Sequence, residues 1–234
     1  MNLMNNIAII PARGGSKRIP KKNIKIFNGN PMIEYAIQAA QNSKLFKKII
    51  VSSDDEAILK ISSKKFKSLE LHKRDSVLAD DLTPTIPVIK NVIEWYEKKC
   101  EFENVCCIYP CVPMLTKDLL IKAYKLLEKN DDNYILPISE YTSSIHRALK
   151  LNDNSMLEPI FPENQSMRTQ DINKSYYDAG QFYFGKKDLW KSEIPLHSRS
   201  KGIIVKSYDF VDIDDMNDWN FAEILHKIKN ENRI

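Results

Sequence analysis

Residues 7–25 read Ile-Ala-Ile-Ile-Pro-Ala-Arg-Gly-Gly-Ser-Lys-Arg-Ile-Pro-Lys-Lys-Asn-Ile-Lys. A short apolar run closed by a proline suits a strand buried on both faces. Two adjacent glycines break the run, and a dense cationic loop follows. Arg13, Lys17, Arg18, Lys21, Lys22 and Lys25 all precede the first acidic residue, Glu34. The 234-residue chain has 35 basic and 31 acidic side chains and a formal charge of +4; beyond those six cations the balance is 29 basic against 31 acidic. The positive charge is therefore local. It follows a strand, at the carboxyl edge where open α/β sheets bind ligands. That placement points to a concentrated anion, and a nucleoside triphosphate fits. The alternative is a solvated basic loop, as charge runs commonly are.

The loop matches neither common nucleotide motif. Arg-Gly-Gly-Ser-Lys lacks the third glycine of a dinucleotide fingerprint, with no acidic residue placed for the ribose, and it lacks the Gly-Lys-Ser/Thr ending of a Walker loop. Gly14 and Gly15 instead allow a backbone nest with amides turned toward an anion.

Composition sets the frame around this loop. With 43% hydrophobic and 28% charged residues, the chain reads as a single globular domain over residues 1–234. The apolar run at 7–10 is far too short to span a bilayer, and no cationic leader with a long apolar stretch precedes it. The expectation is a cytoplasmic protein, with neither membrane nor nucleic acid among its partners. Cys100, Cys106, Cys107 and Cys111 have no second cluster to complete a zinc set, and free buried thiols are expected.

Apolar spacing then lays out the fold. A strand at 7–11 leads to a helix at 31–42, where Ile33, Ala36, Ile37 and Ala40 recur on one face. A strand at 48–52 is followed by a helix through residue 66, capped by Asp54 or Asp55. A helix at 85–99, a strand at 104–109, a helix at 117–129 and a strand at 134–139 continue the alternation. Such alternation implies parallel strands, right-handed crossovers and helices on both faces. Residues 140–176 are polar and irregular and read as an excursion, either a small hairpin subdomain or a dimerisation arm. Strands at 177–184 and 202–205 follow, and 209–215 leads into a final helix to about residue 230. If 211–214 is extended, Asp212 and Asp214 face one site, and Mg²⁺ commonly takes one or two protein carboxylates. The alternative is that one aspartate only caps the last helix, which Asp215 could do equally well.

Pro-Ala-Arg-Gly-Gly-Ser-Lys-Arg-Ile-Pro-Lys-Lys-Asn at 11–23 resembles the N-terminal signature of the sugar-acid cytidylyltransferases. Further segments in order carry the same resemblance: Ile-Val-Ser-Ser-Asp-Asp at 50–55, Arg74 with Leu-Ala-Asp-Asp-Leu-Thr-Pro-Thr at 78–85, and Val-Asp-Ile-Asp at 211–214. The fold this implies is a Rossmann-like, three-layer α/β nucleotidyltransferase with a mostly parallel sheet and a small dimerisation excursion. The implied reaction transfers CMP from CTP to the anomeric hydroxyl of a nine-carbon acid sugar, with Mg²⁺, and releases pyrophosphate. Tyr-Pro-Cys-Val-Pro at 109–113, Arg-Thr-Gln-Asp at 168–171 and Tyr-Asp-Ala-Gly-Gln-Phe-Tyr-Phe-Gly at 177–185 look most like the branch acting on pseudaminic acid. Sialic acid members have Gln-Pro-Thr-Ser-Pro and Arg-Pro-Asn-Gly there, so Tyr109 stands in place of a glutamine and Tyr177 in place of an arginine.

Site roles follow from the resemblance. Arg13 and Lys22 are the expected catalytic cations, and Arg13, Gly14, Gly15, Lys22, Asn23, Arg74, Thr83 and Thr85 the nucleotide contacts. Arg147, Arg168, Tyr177 and Gln181 would hold the sugar acid, and Asp212 and Asp214 the Mg²⁺. A homodimer is implied, with residues 140–175 reaching across to the partner's site, and a role in glycan biosynthesis such as flagellin glycosylation. His72, His146, His197 and His226 show no triad setting, although His146 adjoins Arg147. Rival readings are the same chemistry on sialic acid, legionaminic acid or keto-deoxy-octonate, a non-catalytic nucleotide-binding regulator, and a metal-dependent glycosyltransferase.

Overall fold

The computed structural model describes residues 5–80, 82–130 and 132–231. Ile7, Ala8, Ile9 and Ile10 are fully buried because β1 (Asn6–Pro11) lies at the centre of the main sheet. It pairs in parallel with β4 (Lys48–Ser53) on one side and β6 (Asn104–Ile108) on the other. Beyond β4 lies β5 (Glu70–Lys73), also parallel. On the other flank the sheet turns mixed. The strand β11 (Phe182–Lys186) runs antiparallel to β6 and to β7 (Tyr134–Glu140), whereas β12 (Ser200–Ile204) runs parallel to β7. The short β10 (Tyr176–Asp178) pairs antiparallel with the far end of β7.

Alternation of side chains along β1 builds two cores. Ala8 and Ile10 meet α1 (Met32–Ser43), α2 (Glu56–Lys65) and α4 (Lys117–Leu127). Ile7 and Ile9 meet α3 (Thr85–Tyr96) and α5 (Lys187–Lys191). Cys106 joins the first core and Cys107 the second. The result is the three-layer arrangement implied by the sequence. The thiols are free, and burial holds those of Cys106, Cys107 and Cys111 above the ordinary thiol range, the last at about 12.

A third, smaller core brings the chain ends together. The basic loop runs into a hairpin of β2 (Ile26–Phe27) and β3 (Asn30–Pro31). Its two linking residues, Asn28 and Gly29, both have positive φ, 41° and 95°, the Asn-Gly turn that matches strand twist. Phe27 and Met32 pack with Ile19 and Ile213 against Trp219 and Ala222 of α6 (Met216–Asn230). Phe27 meets the Trp219 ring edge-on at 5.3 Å. Burying a Phe side chain contributes about 1.5–3 kcal/mol, so this cluster anchors 211–214 beside the basic loop.

The structure departs from the sequence-based expectations in several places. The helix expected to reach residue 99 ends at Tyr96, where the amides of Lys99 and Cys100 both turn back to its carbonyl. Asp55, not Asp54, caps α2 through the amide of Ala57. The strand expected at 177–184 is broken: Gly180 has φ +60° and its amide donates to Asp178. The sheet is mixed beyond β6, and β5, the Asn-Gly hairpin and α5 had no clear apolar period to announce them. The excursion contains a hairpin of β8 (Leu149–Leu151) and β9 (Leu157–Pro159). No described helix is long and apolar enough to cross a membrane.

One buried group makes stability depend on pH. His72 on β5 is buried, with Nδ1 3.0 Å from the Ser52 hydroxyl. Burial lowers its pKa from 6.5, and the charges of Arg74 and Lys99 lower it further. The unfolded chain then takes up the proton more readily. The contribution of neutral His72 is whole above about pH 6.5 and is lost as the pH falls below that value. The melting temperature should drop between about pH 7.5 and 5.5, with a smaller drop in His72→Gln, as followed by circular dichroism.

Candidate active site

Three strand ends and three connecting segments converge on one cleft of about 390 Å³. Arg13 follows β1, Arg74 follows β5 and Tyr109 follows β6; the basic loop, residues 78–85 and residues 211–214 close the remaining sides. The site thus sits at the carboxyl edge of the sheet, as strand polarity dictates. It gathers Arg13, Lys22, Asn23, Arg74, Thr83, Thr85, Asp212 and Asp214 from stretches of the chain as far apart as residues 13 and 214. Asp81, part of the 78–85 motif, lies outside the described residues.

The basic loop is braced from within. Asn23 is buried, its side-chain amide donating to the Arg13 carbonyl at 2.8 Å and its side-chain oxygen accepting from the Cys111 thiol. It lines the cleft, yet both ends of its amide are engaged in holding the loop. Arg13 in turn donates to the Asp80 carbonyl at 3.2 Å, tying the loop to 78–85. Gly14 and Gly15 are not among the residues that line the cleft. The Gly14 amide donates to the Asp54 carboxylate at 2.9 Å, so it is engaged within the chain. A Cβ at Gly14 would stand 2.8 Å from that of Asp55, so close packing is what requires glycine there. No comparable crowding surrounds Gly15.

At the other end of the cleft Arg74 is 6% exposed. Its Nε and Nη2 donate to the hydroxyl and carbonyl of Ser52, and its pKa is lowered mainly by burial. A guanidinium held this way is a fixed donor for a planar ligand edge. Nearby, the Asp80 carboxylate accepts from the amides of Leu82 and Thr83 and from the Thr83 hydroxyl at 2.6 Å. This Asx turn sets Thr83 in place. Thr85 opens α3 and its hydroxyl lies 2.8 Å from that of Tyr109. Asp80 and Tyr109 were not singled out as site residues from the sequence, although Asp-x-x-Thr is a readable turn signal.

The acidic side is settled by what caps α6. Asp215 and Asp218 form a reciprocal capping box there, and the Asp218 carboxylate also takes the amide of Asp214. Asp212 and Asp214 are left to the cleft. Burial raises the pKa of Asp212, and neighbouring Asp214 raises it further against the pull of Lys22 and Arg18. Lys22 donates to the Ile213 carbonyl at 2.6 Å, and Arg18 pairs with Asp214 at 2.6 Å. The cationic loop and the acidic segment, almost 200 residues apart, thus form one wall.

The four residues assigned to the sugar acid do not line this cleft. Tyr177 packs its ring 4.8 Å from Tyr141 and 5.8 Å from Phe210. Gln181 is buried beside Gly180, and its side-chain oxygen has no partner. Arg147 and Arg168 are exposed on the excursion, Arg147 reaching the Thr169 hydroxyl at 3.2 Å. None of the histidines lines the cleft: His146 contacts Ser175, His197 contacts Asp178 and His226 contacts Asn28.

Comparison with known proteins agrees with this geometry. Residues 7–215 match the family described as Cytidylyltransferase. The chain is 38% identical over 230 residues to "Pseudaminic acid cytidylyltransferase" of Campylobacter jejuni, covering 97% of this chain and 99% of that protein. It is 29% identical to "CMP-N,N'-diacetyllegionaminic acid synthase" of the same species, covering 96% of each. Among solved structures, CMP:2-keto-3-deoxy-manno-octonic acid synthetase complexed with CTP superposes with a TM-score of 0.70 at 14% identity, covering 96% of this chain and 99% of that one; this likeness shows the shared Rossmann-like fold. With a cleft at the strand ends and a family match over nearly its whole length, the chain belongs to the CTP-dependent cytidylyltransferases.

Proposed function

We propose that the chain transfers CMP from CTP to the anomeric hydroxyl of a nine-carbon acid sugar, pseudaminic acid, and releases pyrophosphate. The observation that carries the reading is the wall joining Arg13 and Lys22 to Asp212 and Asp214. Transfer at phosphorus needs charge neutralisation and alignment more than covalent help. Arg13 and Lys22 neutralise the triphosphate, and Arg74, Thr83 and Thr85 receive the base. The higher identity to the pseudaminic acid relative than to the legionaminic one supports the choice of acceptor.

The acidic pair suits Mg²⁺. Among the described residues no group of three or more metal-ligating side chains gathers, so a cation here would have two protein carboxylates and fill its shell with phosphate and water, as Mg²⁺ commonly does. Bound there, it would withdraw charge from the phosphate oxygens.

The sugar acid is met by the excursion of a second subunit. Arg147 and Arg168 lie outside their own cleft, and the hairpin between them exposes Leu151, Met156 and Leu157, each more than 60% accessible. An apolar arm carrying two arginines fits a two-fold dimer in which each subunit completes the other's site. Light scattering should give a dimer. Mixing inactive Arg168→Ala with inactive Asp214→Ala subunits, followed by exchange, should restore activity; no restoration would place Arg168 in its own subunit's site.

The acceptor is tested by supplying CTP with pseudaminic, legionaminic, sialic and keto-deoxy-octonic acids and following pyrophosphate. Turnover is expected to be fastest with pseudaminic acid. A preference for another acid would reassign the sugar, and none with any would favour a binding protein.

A further inference from the structure

A cation of the chain itself already sits on the acidic wall. Arg18 Nη2 donates to Asp214 Oδ1 at 2.6 Å, and both residues line the cleft. This pair does not build the wall. The backbone at 213–214 is held without it: Lys22 takes the Ile213 carbonyl, the Asp218 carboxylate takes the Asp214 amide, and the Ile213 side chain is buried in the third core. On the facing side Ile19 is buried in the same core and fixes the chain next to Arg18. Two anchored stretches of backbone therefore present a guanidinium and a carboxylate to each other through side chains that are 66% and 48% exposed.

An ion pair this exposed is weak and readily exchanged, yet it changes what Asp214 offers. A divalent cation arriving alone gains the carboxylate only by displacing the guanidinium into water, and the displaced charge stays close by because Ile19 tethers it. Like charges held together in this way repel. Lys22 cannot leave as easily, since its ammonium is bonded to a backbone carbonyl that positions the acidic segment. A cation arriving with a triphosphate meets a different balance. The displaced guanidinium then has phosphate oxygens to bond, and a planar fork of donors suits them well. Displacement opposes the metal in one case and is compensated in the other, which is a coupling free energy between metal and nucleotide.

Resting on the reading of this cleft as a CTP–Mg²⁺ site, we infer that Arg18 is a stand-in cation on Asp214, which keeps the acidic pair closed to a divalent cation alone and yields it to one that arrives with the triphosphate. The residue is thus a switch between two anionic partners, the Asp214 carboxylate in the empty cleft and the phosphates in the filled one.

The test pairs two binding measurements on the full chain, neither of which needs the acceptor sugar. Mn²⁺ alone serves as the metal probe, its unbound fraction read by electron paramagnetic resonance, and CTP with Mg²⁺ is titrated by calorimetry. Arg18→Ala is expected to bind Mn²⁺ about three- to fivefold more tightly than the wild type and CTP about fivefold more weakly. The opposite signs are the signature, because loss of a mere brace would weaken both. Arg18→Gln should follow Arg18→Ala, and it decides the matter if circular dichroism shows Arg18→Ala unfolded. Arg18→Lys should return both affinities toward the wild type. Adding Asp214→Asn to Arg18→Ala should cancel the gain in Mn²⁺ affinity. Unchanged or weaker Mn²⁺ binding in the neutral variants, beside normal CTP binding by the wild type, would overturn the inference. A wild-type protein that binds no CTP would remove the nucleotide reading itself, and the inference with it.

Discussion

Asp214→Ala is expected to lower CMP transfer by on the order of 10²–10³-fold while leaving the fold intact. The side chain is nearly half exposed and its ion pair is with Arg18, itself two-thirds exposed. Surface pairs of this kind contribute little to stability, so the loss should fall on chemistry. Asp212→Asn gives the companion result. Burial and Asp214 raise the Asp212 pKa, so at neutral pH the folded state disfavours its charge, and asparagine removes that cost. Its melting temperature should equal or exceed that of the parent while pyrophosphate release collapses. Near-normal turnover with Mg²⁺ in either variant would remove the pair from the phosphate site.

Lys22→Ala is expected to cost a similar amount by a different route. The ammonium bonds the Ile213 carbonyl at 2.6 Å, so truncation removes a charge from the cleft and loosens the segment carrying Asp212 and Asp214. Both kcat and KM for CTP should suffer, with kcat/KM down by about 10²-fold or more. Lys22→Arg should recover part of this, since charge returns with altered reach. The wild-type KM should rise with salt as screening weakens the cationic loop, and that rise should be shallower in Lys22→Ala. A variant with unchanged KM and unchanged salt dependence would place the triphosphate elsewhere.

Much of this site was legible in the chain before its fold was seen. The strand and basic loop at 7–25 announced both the sheet centre and one wall of the cleft, because a doubly buried strand and a dense run of cations are local patterns. Asp212 and Asp214 were legible as a same-side pair, but only the capping box of Asp215 and Asp218 showed that α6 did not need them. The close approach of Asp55 that calls for glycine at Gly14 spans 41 positions, and no spacing reveals it. The antiparallel turn of the sheet at β11 was hidden, since strand direction depends on a connection rather than on composition. Tyr177 shows the same limit. A strand residue faces one of two sides, and spacing alone does not reveal that its ring packs on Tyr141 and Phe210.

The most direct measurement uses CTP labelled at the α-phosphorus, incubated with the protein, Mg²⁺ and pseudaminic acid. The expected result is label in a CMP–sugar ester, with unlabelled pyrophosphate released in equal amount. Label that stays in CTP, or appears as free CMP without a sugar ester, would contradict CMP transfer to the acid sugar.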